Sequence, residues 1–182
     1  MSSIVLTGDT SGAITVSAPA VAGTNTITLP ASTVTLSNTP AFSVKIGTNQ
    51  SLSENTATKL AFNIEYFDTD SAFDTTNYRF TVPTGKAGKY FISGMARINS
   101  EANNNLASGN LYLYKNGSTH VVSADNFGAN YLRGITSTVT AVMDLSEGDY
   151  LELYGYINSI DNTGGISNSG IYSIFSGYKL IA

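Results

Sequence analysis

Cysteine and tryptophan are absent from the 182 residues, histidine occurs once, proline four times, and charged side chains make up only 12%. Without cysteine there is neither a disulfide framework nor a thiolate metal site. His120 is the single histidine, so a histidine metal cluster is excluded and a Ser-His-Asp triad would have to rest on it alone. The charged fraction is about half the roughly 25% of an ordinary soluble domain. The formal net charge is −4 and Lys and Arg never cluster, which argues against nucleic acid, whose phosphates require a basic patch. No run approaches the roughly 20 apolar residues of a membrane span. The opening Met1-Ser-Ser-Ile-Val-Leu-Thr-Gly-Asp9 has no basic start and no long apolar run, unlike a signal peptide. These absences predict a soluble chain made in a cytosol, with no nucleic-acid or membrane partner and no cofactor.

Helical periodicity is also missing. Apolar residues make up 42% of the chain, with eleven Tyr and eight Phe, which is too many for a disordered segment. They fall in short apolar–polar alternations broken by Gly, Asn and Pro, the pattern of an all-β protein. Composition changes near Ser37-Asn-Thr-Pro40. Residues 1–38 carry a single charge, Asp9, and show strand patterns at 4–6, 13–17, 26–29 and 33–36. This arm is too small and too poor in large apolar residues to fold alone, and its uncharged edges need a partner. Ile4, Leu6, Ile14, Val16, Ile27 and Leu29 are its candidate attachment residues.

Residues 39–182 read as a two-sheet sandwich, with strands expected at 41–46, 59–66, 78–82, 88–99, 110–115, 120–124, 134–145, 150–157 and 171–181. Lys115-Asn-Gly-Ser118 is a hairpin turn, because Asn-Gly accepts the positive φ angles of a tight primed turn. Ser146-Glu-Gly-Asp149 forms the next. Two polar insertions, 99–110 and 158–170, read as loops, with Asn103, Asn104, Asn105, Asp161, Asn162 and Asn168 as candidate ligand contacts.

The strand alternation separates two faces. In 150–156, Leu151, Leu153 and Gly155 fall on one side, and Tyr150, Glu152, Tyr154 and Tyr156 on the other. In 110–115, Leu111 and Leu113 oppose Tyr112 and Tyr114. A tyrosine-rich second face suits a subunit seam, since the ring buries area while the hydroxyl still finds a partner. Tyr112, Tyr114, Tyr150, Tyr154, Tyr156 and Tyr178 are the expected trimer contacts. The alternative is that tyrosine simply favours strands and sits half exposed.

Several ordered segments carry a family resemblance. Pro40-Ala-Phe-Ser-Val44 is similar to the opening strand of the globular heads of complement's first component, q subunit, whose jelly roll is shared with tumour necrosis factor. Phe73-Asp-Thr-Thr-Asn-Tyr-Arg-Phe-Thr-Val-Pro83 with Gly88-Lys-Tyr-Phe91 resembles that family's aromatic–Pro–Gly–aromatic signature. Leu111-Tyr-Leu-Tyr-Lys-Asn-Gly117 resembles its Lys-Asn-Gly hairpin. Val142-Met-Asp-Leu-Ser-Glu-Gly-Asp-Tyr-Leu-Glu-Leu153 and Ser173-Ile-Phe-Ser-Gly-Tyr-Lys-Leu180 resemble its last two core strands. Val82 departs from the pattern, standing where many members have Cys, as does the lengthened turn Thr84-Gly-Lys-Ala87. No collagen-like stalk precedes the head. The resemblance implies a ten-stranded jelly roll, a tight homotrimer, loops presented for binding, and no active site.

The arm carries a second likeness. Leu6-Thr-Gly-Asp-Thr-Ser-Gly12, Ala18-Pro-Ala20 and Gly23-Thr-Asn-Thr-Ile-Thr-Leu-Pro30 look like short β segments in structural proteins of tailed bacteriophages. That implies a virion surface protein, docked through the arm on the major capsid protein or a tail component. The chain is brief for a tail fibre, which favours capsid decoration over a tail-fibre tip reading host glycans, or a free bacterial lectin or adhesin.

Other chemistry is thin. Asp68 and Asp70, with Glu65 and Asp74 nearby, are weak calcium candidates whose spacing fits no compact loop motif. His120 fits a solvated strand start. Asp144, Glu147 and Asp149 frame a turn, and a glycan-cleaving carboxylate pair would depend on distances that spacing does not reveal. Asn116-Gly-Ser118 matches a glycosylation acceptor, but the hairpin already accounts for it.

Overall fold

The computed structural model describes residues 3–7, 12–17, 20–21, 23–24, 39–167 and 172–180. The chain divides into two compact units, Met1–Ser37 and Asn38–Ala182. In the first, β1 (Ser3–Thr7) and β2 (Ala13–Ser17) form an antiparallel hairpin with Ile4 opposite Val16 and Leu6 opposite Ile14. Val5 and Val16 are exposed. The expected arm strands at 26–29 and 33–36, and with them Ile27 and Leu29, lie outside the described residues.

The second unit is an all-β jelly roll of two antiparallel sheets. Its described residues form thirteen strand segments, four of them two residues long, where ten strands were expected. The first sheet contains β3 (Ala41–Ile46), β4 (Gln50–Ser51), β6 (Phe62–Asp68), β9 (Gly88–Asn99), β12 (Gly134–Leu145), β14 (Gly165–Ile166) and β15 (Ile174–Lys179). Its order is β4-β14-β9-β15-β3-β6, with β12 also paired to β9. The second sheet contains β5 (Thr58–Lys59), β7 (Phe73–Asp74), β8 (Arg79–Thr81), β10 (Leu106–Lys115), β11 (Ser118–Asn126) and β13 (Tyr150–Ser159). Its order is β11-β10-β13-β8-β7, with β5 beside β13.

Most strands fall where the alternation predicts them, and three differences have physical causes. The single strand expected at 59–66 serves both sheets. Leu60 turns inward and donates its N–H to the Leu153 carbonyl at 2.9 Å, so β5 joins the second sheet and β6 the first. The insertion 99–110 is shorter than expected because β10 already begins at Leu106, which is fully buried. Likewise β13 runs on to Ser159, and β14 occupies part of the second insertion.

The space between the sheets is filled by side chains that point inward at every second position. Phe42 stacks on Phe80 at 4.6 Å and meets Phe175 edge-on at 5.1 Å. Tyr90 is fully buried beside Phe80, and its hydroxyl donates to the Lys86 carbonyl at 2.6 Å. Burial, and secondarily the charge of Asp70, pushes the Tyr90 phenol up to about 12. At mid-sandwich the sheets approach so closely that a Cβ on Gly94 would stand 2.5 Å from Leu153 Cδ1. The β10–β11 turn has the predicted chemistry, with φ of 51° at Asn116 and 77° at Gly117.

Candidate binding and assembly surfaces

Five of the six expected seam tyrosines share the outer face of the second sheet. Tyr112 lies opposite Tyr154, and Tyr154 opposite Lys59, while Val122 faces Tyr112 from β11. Tyr114 stacks on Tyr154 at 4.1 Å and meets Tyr112 edge-on at 6.2 Å. Tyr150 lies against the Arg79 guanidinium, 5.0 Å from the ring centre. All five are half-buried within their own chain.

Their polar ends are occupied by neighbours. The Tyr154 hydroxyl donates to Glu152 Oε2 at 3.3 Å, and the Tyr156 hydroxyl to Asn55 Oδ1 at 2.8 Å. The Tyr112 hydroxyl accepts from Asn110 Nδ2 at 3.0 Å. Glu152 is only 4% exposed, yet Lys59 Nζ lies 2.5 Å from its Oε1, so its charge is compensated. Burial first, then the Glu152 charge, pushes the Tyr154 phenol up to about 12. This face is tyrosine-rich and internally hydrogen-bonded, and its charges include the Lys59–Glu152 pair and the Arg79 guanidinium over Tyr150.

Tyr178 does not join that group. It sits on β15 in the first sheet, 48% exposed, with its ring 5.5 Å from Phe91. The register of this sheet sets out two uncharged outward rows. One runs Val142, Phe91, Tyr178, Ala41, and the next Thr140, Ser93, Ser176, Ser43, Phe67. Val142 is 63% and Phe67 51% exposed, and small hydroxyl residues fill the centre. The third row, Thr138, Met95, Ile174, Lys45, Ile64, holds one charge, and Lys45 lies over the Tyr66 ring at 5.3 Å. Sequence reasoning missed this face because serine and threonine there resemble solvated strand residues. The available signal was the lack of charge at successive outward positions 91, 93 and 95.

The candidate ligand loops meet each other. Asn105 is 4% exposed rather than presented to solvent: its Nδ2 donates to Asp161 Oδ1 at 2.6 Å, and its Oδ1 accepts from the Asp161 N–H at 3.1 Å. It therefore clamps the two loops together. Hydrogen bonds from Thr163 and Asn105 hold the Asp161 carboxyl below its ordinary range. Asn103, Asn104 and Asn162 are exposed, and Asn104 and Asn162 adopt positive φ in the turns. Asn168 lies outside the described residues.

The remaining acids serve turns. Asp68 accepts from the N–H groups of Asp70 and Phe73, and Asp70 lies 3.8 Å from Lys86 Nζ. Among the described residues, no three His, Cys, Asp or Glu side chains converge as metal ligands. A hollow of about 450 Å³ includes Asp74 and Glu147 in its lining. Asp74 is held below the ordinary carboxylate range chiefly by the Asn77 side chain, and Glu147 chiefly by the Gly85 N–H. A glycosidase acid requires the opposite shift. His120 is exposed on β11.

The sequence model of the C1q domain matches residues 41–180, most of the chain. The chain belongs to the C1q domain family. Its jelly roll is similar to the globular domain of zebrafish complement 1qA, with a TM-score of 0.56 and 18% identity over 78% of this chain and 98% of that one. Murine APRIL at pH 5.0 is similar in fold as well, with a TM-score of 0.59 and 11% identity over 79% of this chain and all of that one. No curated protein matches in sequence. C1q and tumour-necrosis-factor-like domains are binding and structural modules that assemble as trimers.

Proposed function

We propose that this C1q-family head is a non-catalytic homotrimer whose seam covers the outer face of the first sheet. The observation that carries this reading is the pair of uncharged rows from Val142 to Ala41 and from Thr140 to Phe67. A contiguous outward face with exposed Val142, Tyr178, Phe67 and Ile64 is costly in water and suits association. Of the six tyrosines named from sequence, Tyr178 belongs to this seam. Tyr112, Tyr114, Tyr150, Tyr154 and Tyr156 lie outside it.

We further propose that the trimer stands on a bacteriophage particle, made in the host cytoplasm and displayed outward as a capsid-decorating spike. The N-terminal unit attaches it to the major capsid protein or a tail component. This reading is supported by the arm's resemblance to short β segments of phage structural proteins, and by a three-fold head suited to a three-fold or quasi-three-fold capsid site. A second reading, a tail-fibre tip that binds host glycan, is favoured by the exposed Asn103, Asn104 and Asn162.

Two measurements test these readings. Light scattering on the purified chain should give three times its 19.1 kDa mass, and a monomer would overturn the trimer. Particles produced with the chain should carry it in hundreds of copies for capsid decoration and a few for a tail. Its absence from them would overturn both placements.

A further inference from the structure

We propose that the outer face of the second sheet is a binding site for a neutral oligosaccharide, centred on Tyr112, Tyr154 and Tyr156 with Asn55 and Asn158. The inference rests on the trimer seam lying on the first sheet, which leaves this face outside the assembly. Three aromatic rings stand on adjacent strands, Tyr112 opposite Tyr154 and Tyr156 one outward position further along β13. Each remains partly exposed. Tyr114 covers one face of Tyr154 at 4.1 Å, so Tyr112 and Tyr156 are the flanking rings left to match the C–H faces of pyranose units.

The polar groups beside them are amides. Asn55 Oδ1 accepts from both the Tyr156 hydroxyl and Asn158 Nδ2, at 2.8 and 2.9 Å. Among the described residues, no hydrogen bond uses the Asn55 amide NH2 or the Asn158 carbonyl oxygen, so a donor and an acceptor remain for sugar hydroxyls. Asn55 is in the left-handed region, at φ 55°, and the two hydrogen bonds to its Oδ1 orient its amide.

The electrostatics select the ligand class. Glu152 is paired with Lys59. The Glu54 carboxylate beside Asn55 accepts from the Ser159 N–H and hydroxyl and has no lysine or arginine paired with it among the described residues, so an anionic sugar is disfavoured at the rings. The site is also unlike a protein-docking face. A standard interface buries about 800 Å² per partner around an apolar core. On the described strands of this sheet, Val122 is the only large apolar side chain that is strongly exposed. A few rings with oriented amides on an open sheet face suit a short sugar chain rather than a second protein.

The test is a printed array of neutral glycans with sialylated ones for comparison, followed by titration of the strongest neutral hit by saturation-transfer NMR. A neutral glycan should bind, and Tyr112→Ala should weaken it about ten-fold through loss of one stacking ring. Asn55→Gly, which keeps the backbone angle and removes the amide, should weaken it several-fold and carries the test if the tyrosine variant does not fold. No neutral binding, binding of sialylated glycans alone, or unchanged affinity in these variants overturns the site. Light scattering on the same samples separates the two readings. A trimer that binds no glycan sinks the sugar site alone, whereas a monomer that binds it sinks the seam alone.

Discussion

Substituting Ser176 by arginine puts the proposed seam to its most direct test. Ser176 lies at the centre of the first sheet's outer face, between Ser93 and Ser43, with the Phe91–Tyr178 ring pair in the next row. Its side chain points away from the core, so the protomer has room for a longer residue. In a closed three-fold assembly each of three identical seams contains one copy of it. Burying an uncompensated charge costs roughly 3–5 kcal/mol per site, so assembly loses about 9–15 kcal/mol in total. At 1.4 kcal/mol per factor of ten, the trimer constant falls by at least about a million-fold. At micromolar concentration the variant should elute as a 19.1 kDa monomer with an unchanged far-ultraviolet spectrum. Tyr112→Arg, on the other sheet, should leave the trimer intact. The reverse pair of results, a trimer with Ser176→Arg and a monomer with Tyr112→Arg, would refute the seam.

Other consequences concern stability and attachment. Gly94→Ala should cost about 1–3 kcal/mol in denaturant unfolding, because its Cβ would stand 2.5 Å from Leu153 Cδ1. Leu153→Ala in the same chain should recover part of that loss, and strictly additive penalties would count against the close approach. Asn116→Ala should cost about 2 kcal/mol by removing the amide that donates to Asp149 at 2.7 Å and accepts from the Tyr150 N–H at 2.9 Å. Asn116→Gly should cost less, since it keeps the positive φ. Tyr90 and Tyr154, both raised from 10.0 to about 12, bind their protons more tightly folded than unfolded. Their contribution is complete below pH 10 and is lost as pH rises to about 12. Asp149, depressed to about 2 chiefly by the Lys115 hydrogen bond, contributes above its ordinary 3.8 and is lost as pH falls toward 2. A stability flat across both windows would contradict these shifts. Deleting residues 1–38 should leave a folded trimeric head that no longer attaches to its particle, and an unfolded head would show that the division is wrong.

Much of this fold was legible because strand alternation is a backbone property. Leu111 and Leu113 had to oppose Tyr112 and Tyr114 once the segment was extended, and all four fall as expected. Asn116-Gly117 named its own turn through the positive φ it accepts. The outer faces were harder to read. Period two shows that Tyr154 and Tyr178 point away from a core, but not that they belong to different sheets. Asn105 shows the same limit: a polar residue in a polar run reads as a loop contact until pairing with Asp161 places it in the interior. Leu60 carried no local sign that the chain changes sheets beside it. Only its bond to the Leu153 carbonyl explains the break between β5 and β6.

The two outer faces differ in what they leave unsatisfied, and the proposed roles rest on that difference. On the second sheet the ring hydroxyls of Tyr112, Tyr154 and Tyr156 find partners in their own chain, and the one buried carboxylate has its lysine. Covering that face with another protomer would remove little apolar surface from water and would also bury the Lys59–Glu152 pair more deeply, where desolvation rises faster than attraction. The first sheet has the opposite balance. Its central serines and threonines are small enough to let a neighbour approach, and Val142, Tyr178 and Phe67 around them gain by leaving water. Charges at its margins are Lys89 and Asp144, which pair with each other at 3.1 Å beyond the Val142 row, Lys45, over the Tyr66 ring on the other flank, and Glu65, exposed on β6 between Ile64 and Phe67. Under the proposed assembly, the incomplete face is the one that closes against neighbouring protomers, and the self-sufficient face is the one left free for the proposed ligand.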